Sequence, residues 1–354
     1  MSMVSTAPTR QLRVIGLVLA ALLCVNPLVD RMGLKYWLVR GDWPDLAPYA
    51  YRGIDGPVDV LVVGSSRMAL AVSPVWVRET VAAEGGRELV IVNLSQIGGN
   101  AVSSSIVLRD AVRAGGCPGL VLFGLTVGAV NVNSMTLEKT LRVHVSLIDT
   151  LRLLPEVDRW SRVDAALAGT LRGYANLYSL VTQPPFGRRA QLAELRGRGS
   201  SFFDARHLAR EPVRFARLPE GERQEVEAQS AALYQDLLRD YEIAGAPVRY
   251  LRRTLELAGR CDSDLVFVRP PASGVLDSWI GDRRRSTFMD LAASLAAGPD
   301  VDFYAPDAAA AGLDGDDFEN PGHLNIEGAY KFSALLARSV VLPRIEPRES
   351  RTSR

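Results

Sequence analysis

A series of short, largely apolar runs constrains the fold of this chain more than any other feature. The runs lie at Val58–Val63, Leu89–Val92, Leu120–Phe123, Leu265–Val268 and Val301–Tyr304. Such β-branched runs are typical of strands buried on both faces. Stretches with helical spacing, 73–84 and 102–114, separate the first three runs. Strands that alternate with helices predict an α/β fold with a doubly wound parallel sheet.

The α/β domain is predicted to span 58–342 and to contain a long interruption at about 135–260. This stretch holds no strand-like run and is rich in Leu, Ala and Arg at helical spacing, which predicts a helical insertion. Within it, 186–225 carries many Arg and Gly residues, typical of a solvated loop or cap. Residues 343–354 are predicted to form a disordered tail.

The N-terminal segment predicts a membrane association. Residues 14–29 read VIGLVLAALLCVNPLV without a charge, somewhat short of the ~20 residues that span a bilayer. No small-x-small cleavage site follows, so an uncleaved transmembrane helix over 14–30 is favoured over a signal peptide and over a buried core helix. Residues 1–13 are then cytoplasmic, 31–57 form a tether, and the main domain is extracytoplasmic, either periplasmic or extracellular.

The charged and sulfur-containing residues exclude several classes of function. Lys plus Arg number 41 and Asp plus Glu 40, for a net charge of +1, so the electrostatic footprint of a nucleic-acid partner is missing. The cysteines, Cys24, Cys117 and Cys261, lack metal-ligand spacing. Neither a disulfide scaffold nor a zinc module is therefore indicated, and no metal or organic cofactor is expected.

Ligands of open parallel sheets bind at the carboxyl ends of the strands, so the residues after each run are the first candidates for chemistry. Gly64-Ser65-Ser66-Arg67 follows the first run. Gly permits a tight turn, and a serine at the start of the next helix lies beside free backbone N–H groups, as a nucleophile for acyl transfer requires. A serine N-cap is the alternative interpretation.

Two further loops supply candidates for stabilising an oxyanion. Asn93–Asn100 follows the second run, and within it Ser95, Gly98 and Gly99 are candidates. Thr126 follows the third run and is a fourth candidate, with Asn131 and Asn133 beyond it. Polar groups at such positions either assist an oxyanion or cap a turn.

Only three histidines are available as a general base. His144 and His207 lie in the predicted insertion and are interpreted as surface or packing residues. His323 lies in the loop Asn320-Pro321-Gly322-His323, directly before a helical pattern, so it is held rigidly outside the core. His323 is therefore the predicted base.

The order of these pieces resembles the SGNH or GDSL-like hydrolases, whose blocks run Gly-Asp-Ser, Gly, Gly-x-Asn-Asp and Asp-x-x-His. Gly64-Ser65-Ser66 matches the first block, and Asn320-Pro321-Gly322-His323 matches the last. The resemblance covers 58–134 and 262–340 and implies an SGNH/flavodoxin-like fold. With its N-terminal anchor, the chain looks most like exported SGNH-like proteins that accompany membrane-bound O-acyltransferases in D-alanyl transfer or alginate O-acetylation.

The resemblance implies roles for particular residues. Ser66 is the nucleophile and His323 the base, while Asn320 stands where the family has Asp. A neutral amide orients an imidazole but does not stabilise imidazolium as a carboxylate does. Asp316 or Asp317 can supply that carboxylate if the loop folds back, and a Ser-His dyad is the other arrangement.

The sequence thus predicts a membrane-anchored serine esterase or O-acyltransferase. Its substrate is an ester of an extracytoplasmic polysaccharide or lipid, and its partner a membrane-bound O-acyltransferase. The alternative is a catalytically degenerate SGNH-like module that binds or scaffolds such an acyltransferase, since the Asp and Asn of the family blocks are replaced.

Overall fold

The computed structural model describes residues 57–96, 98–134 and 212–345 of the chain. Its main sheet consists of β1 Val60–Val63, β2 Ile91–Asn93, β3 Leu120–Gly124, β4 Asp264–Val268 and β5 Val301–Tyr304. The strands lie in the order β2-β1-β3-β4-β5, and every neighbouring pair is parallel. The α/β fold with a parallel sheet is confirmed, and each of the five predicted runs contributes a strand.

Helices and a small hairpin complete the described residues. The helices are α1 Ser66–Ala71, α2 Pro74–Ala83, α3 Ala101–Gly115, α4 Glu220–Leu237, α5 Gly245–Cys261, α6 Gly274–Leu295 and α7 Ile326–Leu336. Short 3-10 turns lie at Val127–Ala129, Phe215–Arg217, Gly315–Asp317 and Leu342–Arg344, and a π-helical turn at Ala337–Val341. The hairpin pairs β6 Phe318–Asn320 with β7 His323–Leu324 in antiparallel fashion. Helix α6 bends at Gly281, whose φ is 72°.

The inner strand β1 is buried on both faces because helices cover both sides of the sheet. Leu61 and Val63 pack into a core with α3, α5 and α6. Val60 and Val62 point the other way, as alternation along a strand requires, and pack against α1, α2 and α7. All four side chains have 0% exposure, which explains why β1 itself carries no polar residue.

Two glycines bring α1 close to the ends of the central strands. A Cβ on Gly124 would lie 2.0 Å from Met68 Cγ, and one on Gly64 would lie 2.7 Å from the same atom. Any larger residue would push α1 off the sheet. The absence of side chains here lets the chain turn directly from β1 into α1.

The predicted insertion and anchor are described only in part. Residues 212–260 form the Phe215–Arg217 turn, α4 and α5, and none of them joins the sheet. The rest of the insertion, with His144 and His207, the 14–30 segment, the tether and the tail lie outside the described residues. Across 57–96, 98–134 and 212–345, no helix has the length and apolarity needed to span a bilayer.

The sequence analysis was wrong about the cysteines, because Cys117 and Cys261 form a disulfide. They are 144 residues apart in sequence, with Cα atoms 5.3 Å apart. The register of the sheet pairs Leu120 with Asp264, and each cysteine lies three residues before its strand. Parallel pairing therefore places the two cysteines side by side at the amino edge of the sheet.

Alkylation of the denatured full chain tests this pairing. Without reductant, one of the three cysteines is expected to react, and all three after reduction. Reduction is also expected to lower the thermal unfolding midpoint, because a cross-link that closes a long loop stabilises a fold by about 2–4 kcal/mol. Three reactive thiols in protein purified without reductant would contradict the disulfide.

Candidate active site

Ser66 begins helix α1 directly after the turn that leaves β1. Ser65 is the N-cap in extended backbone conformation, and its side chain makes no capping hydrogen bond. The N-cap alternative proposed for this motif therefore does not describe Ser66, which is the first helical residue. Ser66 is half-buried at the carboxyl edge of the sheet.

The β6–β7 hairpin brings Asn320 and His323 together. Asn320 is the cross-strand partner of His323, with only Pro321 and Gly322 in the turn between them. Side chains directly opposite in an antiparallel pair lie on the same face and in contact. A Cβ on Gly322 would lie 2.6 Å from the hydroxyl of Tyr234, so glycine lets α4 pack over this turn.

The amide oxygen of Asn320 accepts three hydrogen bonds. The backbone N–H groups of Gly322 and His323 donate to it at 2.9 and 3.1 Å, and His323 Nδ1 lies 3.0 Å away. Backbone N–H groups only donate, so they fix the oxygen, rather than the NH2, toward the ring. His323 Nδ1 must then carry the proton, which leaves a lone pair on Nε2 of the neutral ring.

That lone pair faces Ser66. His323 Nε2 lies 2.8 Å from Ser66 Oγ, within the distance expected between a serine nucleophile and its base. The two residues are 257 positions apart in sequence. Ser66, His323 and Asn320, which the sequence analysis selected, therefore form one continuous hydrogen-bonded chain.

Asp316 and Asp317 instead pair with cations. Arg217 Nε donates to Asp316 at 2.9 Å, and this contact holds the pKa of Asp316 below its usual range. Asp317 is 2% exposed and accepts from Lys331 Nζ at 2.7 Å, which raises the pKa of Lys331. In the structure, Nδ1 of His323 contacts Asn320 and neither aspartate.

The predicted oxyanion loop has most of its backbone N–H groups already engaged. Ser95 N donates to Asn93 Oδ1, Gln96 N to the Gly64 carbonyl, and Gly99 N to the Gln96 carbonyl. Gly98 is exposed, with φ at 74°. Among the described candidates, the Ser95 hydroxyl is buried with no hydrogen-bond partner. Thr126 is buried after β3 and is the N-cap of the 3-10 turn there.

A buried arginine beside Ser66 was not singled out from the sequence. Arg67 is 6% exposed, and its Nη2 donates to the carbonyls of Pro270 and Pro271 at 2.7 and 2.8 Å. Burial lowers the pKa of Arg67 from its ordinary value. The same loop reaches the histidine, because Ser273 Oγ donates to the Pro321 carbonyl at 2.9 Å. The loop after β4 thus connects the serine turn with the histidine hairpin.

Buried asparagines hold the surrounding backbone. Asn93 Nδ2 donates to the Val72 carbonyl at 2.8 Å, at the end of α1. Asn325 caps α7 and donates from Nδ2 to the carbonyls of Val213 and Asp316. Asn131 donates to carbonyls at the end of α4, so it supports the scaffold. The sequence contains a signal for this cap. Asn325 stands at the start of a helical pattern, two residues before an acidic residue.

No protein-family model matches the sequence, and a comparison with curated proteins finds no match. Within the part of the chain that the structure describes, no group of three or more His, Cys, Asp or Glu side chains can hold a metal ion. The geometry of the site and the sequence pattern therefore carry the functional argument.

Replacing Arg67 by Met is expected to destabilise the protein by about 2 kcal/mol or more, because two buried carbonyls lose a charged donor. Arg67→Lys should recover part of the loss. The thermal unfolding midpoint of the full chain measures this, with Arg283→Met on the exposed side of α6 as the matched control. Equal midpoints for Arg67→Met and the control would contradict the role of Arg67.

Asp316→Asn is expected to leave the reactivity of Ser66 unchanged and to affect stability only above acidic pH. Because the pKa of Asp316 is depressed, its stabilising contribution is complete above the ordinary Asp pKa of about 3.9. It disappears as pH falls through the depressed value. Unfolding midpoints of wild type and variant should therefore differ at neutral pH and converge in acid. A strong loss of serine labelling would instead place Asp316 in the catalytic unit.

Proposed function

We propose that the protein is an SGNH-like serine esterase or O-acyltransferase, anchored in a membrane and acting on an extracytoplasmic carbohydrate or lipid ester. The observation that supports this most is the chain of contacts from Ser66 Oγ to His323 Nε2 at 2.8 Å and from Nδ1 to Asn320 Oδ1 at 3.0 Å. A nucleophile, a base and an orienting group in that order are the requirement for acyl transfer by serine.

In the proposed reaction, Ser66 Oγ attacks the acyl carbonyl while its proton passes to His323 Nε2. The carbonyl π electrons move to oxygen, and the Ser95 hydroxyl and the Ser66 N–H are the proposed donors to that oxyanion. Collapse breaks the ester bond, and the proton returns from His323 to the leaving alcohol. A second alcohol, or water, then gives its proton to His323 and attacks the acyl-serine. The Ser66 Oγ–acyl bond breaks, and His323 returns the proton to Ser66 Oγ.

The disulfide supports the extracytoplasmic part of the proposal. Cys117 and Cys261 are bonded, and disulfides persist mainly in oxidising compartments outside the cytoplasm. This agrees with the topology expected from 14–30. A membrane-bound O-acyltransferase as acyl donor remains part of the proposal, on the strength of the family resemblance alone.

A non-catalytic binding or scaffold function is the second candidate, and it rests on one residue. Asn320 occupies the position of the family carboxylate, and its amide is uncharged. If orientation without charge is insufficient for proton transfer, the cleft would serve only to bind an acyl chain or glycan beside its acyltransferase.

Labelling with a fluorophosphonate probe distinguishes the two functions. Wild type in native membranes is expected to label at Ser66, and Ser66→Ala to abolish labelling. His323→Gln should reduce the labelling rate by about a hundredfold or more, because the base is lost. Ser65→Ala is the matched control, since its hydroxyl caps nothing. No labelling of folded wild type, in native membranes or as purified full chain, would favour the scaffold.

Asn320→Asp tests the role of the amide. A carboxylate at this position accepts the same three N–H donors and adds a charge that stabilises imidazolium, so labelling is expected to accelerate by about tenfold or more. Asn320→Ala removes the acceptor and should slow labelling severely. An unchanged rate in both variants would show that Asn320 does not act on His323.

A further inference from the structure

A basic cleft lies on the flank of the domain, between α3 and α5. Its volume is about 430 Å³, within the range of about 300–1,000 Å³ typical of ligand pockets. Arginines on both helices line it: Arg109, Arg113, Arg253 and Arg260. None of its lining residues belongs to the candidate active site.

The two walls of the cleft are fixed to each other. Thr254 Oγ1 donates to Ser105 Oγ at 2.8 Å, and Ser105 Oγ lies 3.2 Å from the Tyr250 carbonyl. At one end, Cys117 and Cys261 join the carboxyl ends of the two helices. The cleft is therefore preformed and needs no rearrangement to accept a ligand.

The charges that line the cleft are mostly positive. Arg109 pairs with Asp110 at 2.8 Å, and Glu256 is the acidic residue among the lining side chains. The lining side chains themselves therefore carry four guanidinium groups and one carboxylate. Arg253 lies over the Tyr250 ring, with its Cζ 4.8 Å from the centroid. Stacking orients a guanidinium while leaving its N–H edge open to an anion.

The spacing and the floor of the cleft indicate an amphiphilic anion. Arg253 and Arg260 are seven residues apart on one helix, which is about 10 Å at 1.5 Å per residue. Guanidinium forks match phosphate oxygens in bidentate geometry. Leu257, which is partly exposed, adds apolar surface between the arginines, which a free inorganic anion would leave uncovered.

We propose that this cleft binds the phosphate headgroup of an anionic membrane lipid. The position at which the chain enters the domain supports a membrane lipid, rather than a free anion, as the ligand. Gly119 N donates to the Val58 carbonyl, so β1 begins beside the disulfide end of the cleft. Fifty-six residues precede Pro57, and they include the apolar 14–29 run. The lipid assignment rests on the proposed membrane anchoring: a membrane that held this run would lie within reach of the cleft, at the amino edge of the sheet, whereas the Ser66 site lies at the carboxyl edge.

Lipid titration followed by native mass spectrometry tests the proposal on the full chain in non-ionic detergent. The probes are phosphatidylglycerol, phosphatidylcholine and inorganic phosphate. Phosphatidylglycerol is expected to bind about tenfold more tightly than phosphatidylcholine, which corresponds to one strong charged contact. Affinity should fall as salt concentration rises, because the cleft is open to solvent.

The variant pair R253Q/R260Q isolates the cleft from the predicted anchor, which it leaves unchanged. Its affinity for phosphatidylglycerol should fall by about tenfold or more, while the control pair R252Q/R283Q, exposed arginines outside the cleft, should stay within about twofold. Matching thermal midpoints exclude misfolding. Equal losses in both pairs, no loss in either, or full competition by inorganic phosphate at equal concentration would overturn the lipid assignment.

Discussion

Parallel pairing of β1 with β2 on one side and β3 on the other is the constraint on which the candidate site depends. All three strands end at the same edge, so the serine turn, the Ser95 loop and the Thr126 turn converge there. The hairpin with His323 reaches this edge because α7 packs on α1 and α2. Ser333 Oγ accepts from Ser73 N at 3.0 Å and donates to the Ala71 carbonyl at 3.2 Å, which ties the histidine segment to the serine helix.

A carboxylate beside a histidine both orients the ring and stabilises its protonated form, whereas the Asn320 amide only orients it. Its oxygen fixes the tautomer and the direction of the His323 ring through three N–H contacts. It contributes no negative charge when the ring becomes protonated. Asp316 and Asp317 do not compensate, since Arg217 and Lys331 bind them. In the proposed mechanism Asn320 therefore orients His323 without adding a charge, and the Ser95 hydroxyl and the Ser66 N–H are the proposed donors to the oxyanion.

Sequence reasoning succeeded where one local pattern has one physical cause. Short, largely apolar runs predicted the parallel strands, and in β1 and β3 burial on both faces excludes polar side chains altogether. His323 was selected because a Pro-Gly loop before a helix holds a side chain rigidly, and the hairpin register explains its contact with Asn320. Pro321 and Gly322 themselves are buried rather than exposed. The bounds of four strands differ from the predicted runs by one or two residues, and those of β5 match, since hydrogen bonding rather than hydropathy decides where a strand ends.

The remaining features depend on tertiary contacts that no local pattern encodes. Cys117 and Cys261 meet only because the register of β3 and β4 aligns them. Arg67 is buried against two proline carbonyls, although arginine is ordinarily exposed. We expected the N–H groups of Ser95 and Gly99 to face an oxyanion. They donate instead to Asn93 and Gln96, because the conformation of the folded loop decides which acceptors they reach.

Trapping an acyl-enzyme tests the central claim most directly. The full chain in native membranes is mixed with p-nitrophenyl acetate, quenched in acid within the first turnover, and digested for peptide mapping by mass spectrometry. The account predicts an acetyl ester on Ser66 of the wild type, which forms about a hundredfold more slowly in His323→Gln because the base for acylation is lost. An acetyl group confined to other residues, or Ser66 unmodified in folded protein, would contradict a nucleophilic role for Ser66.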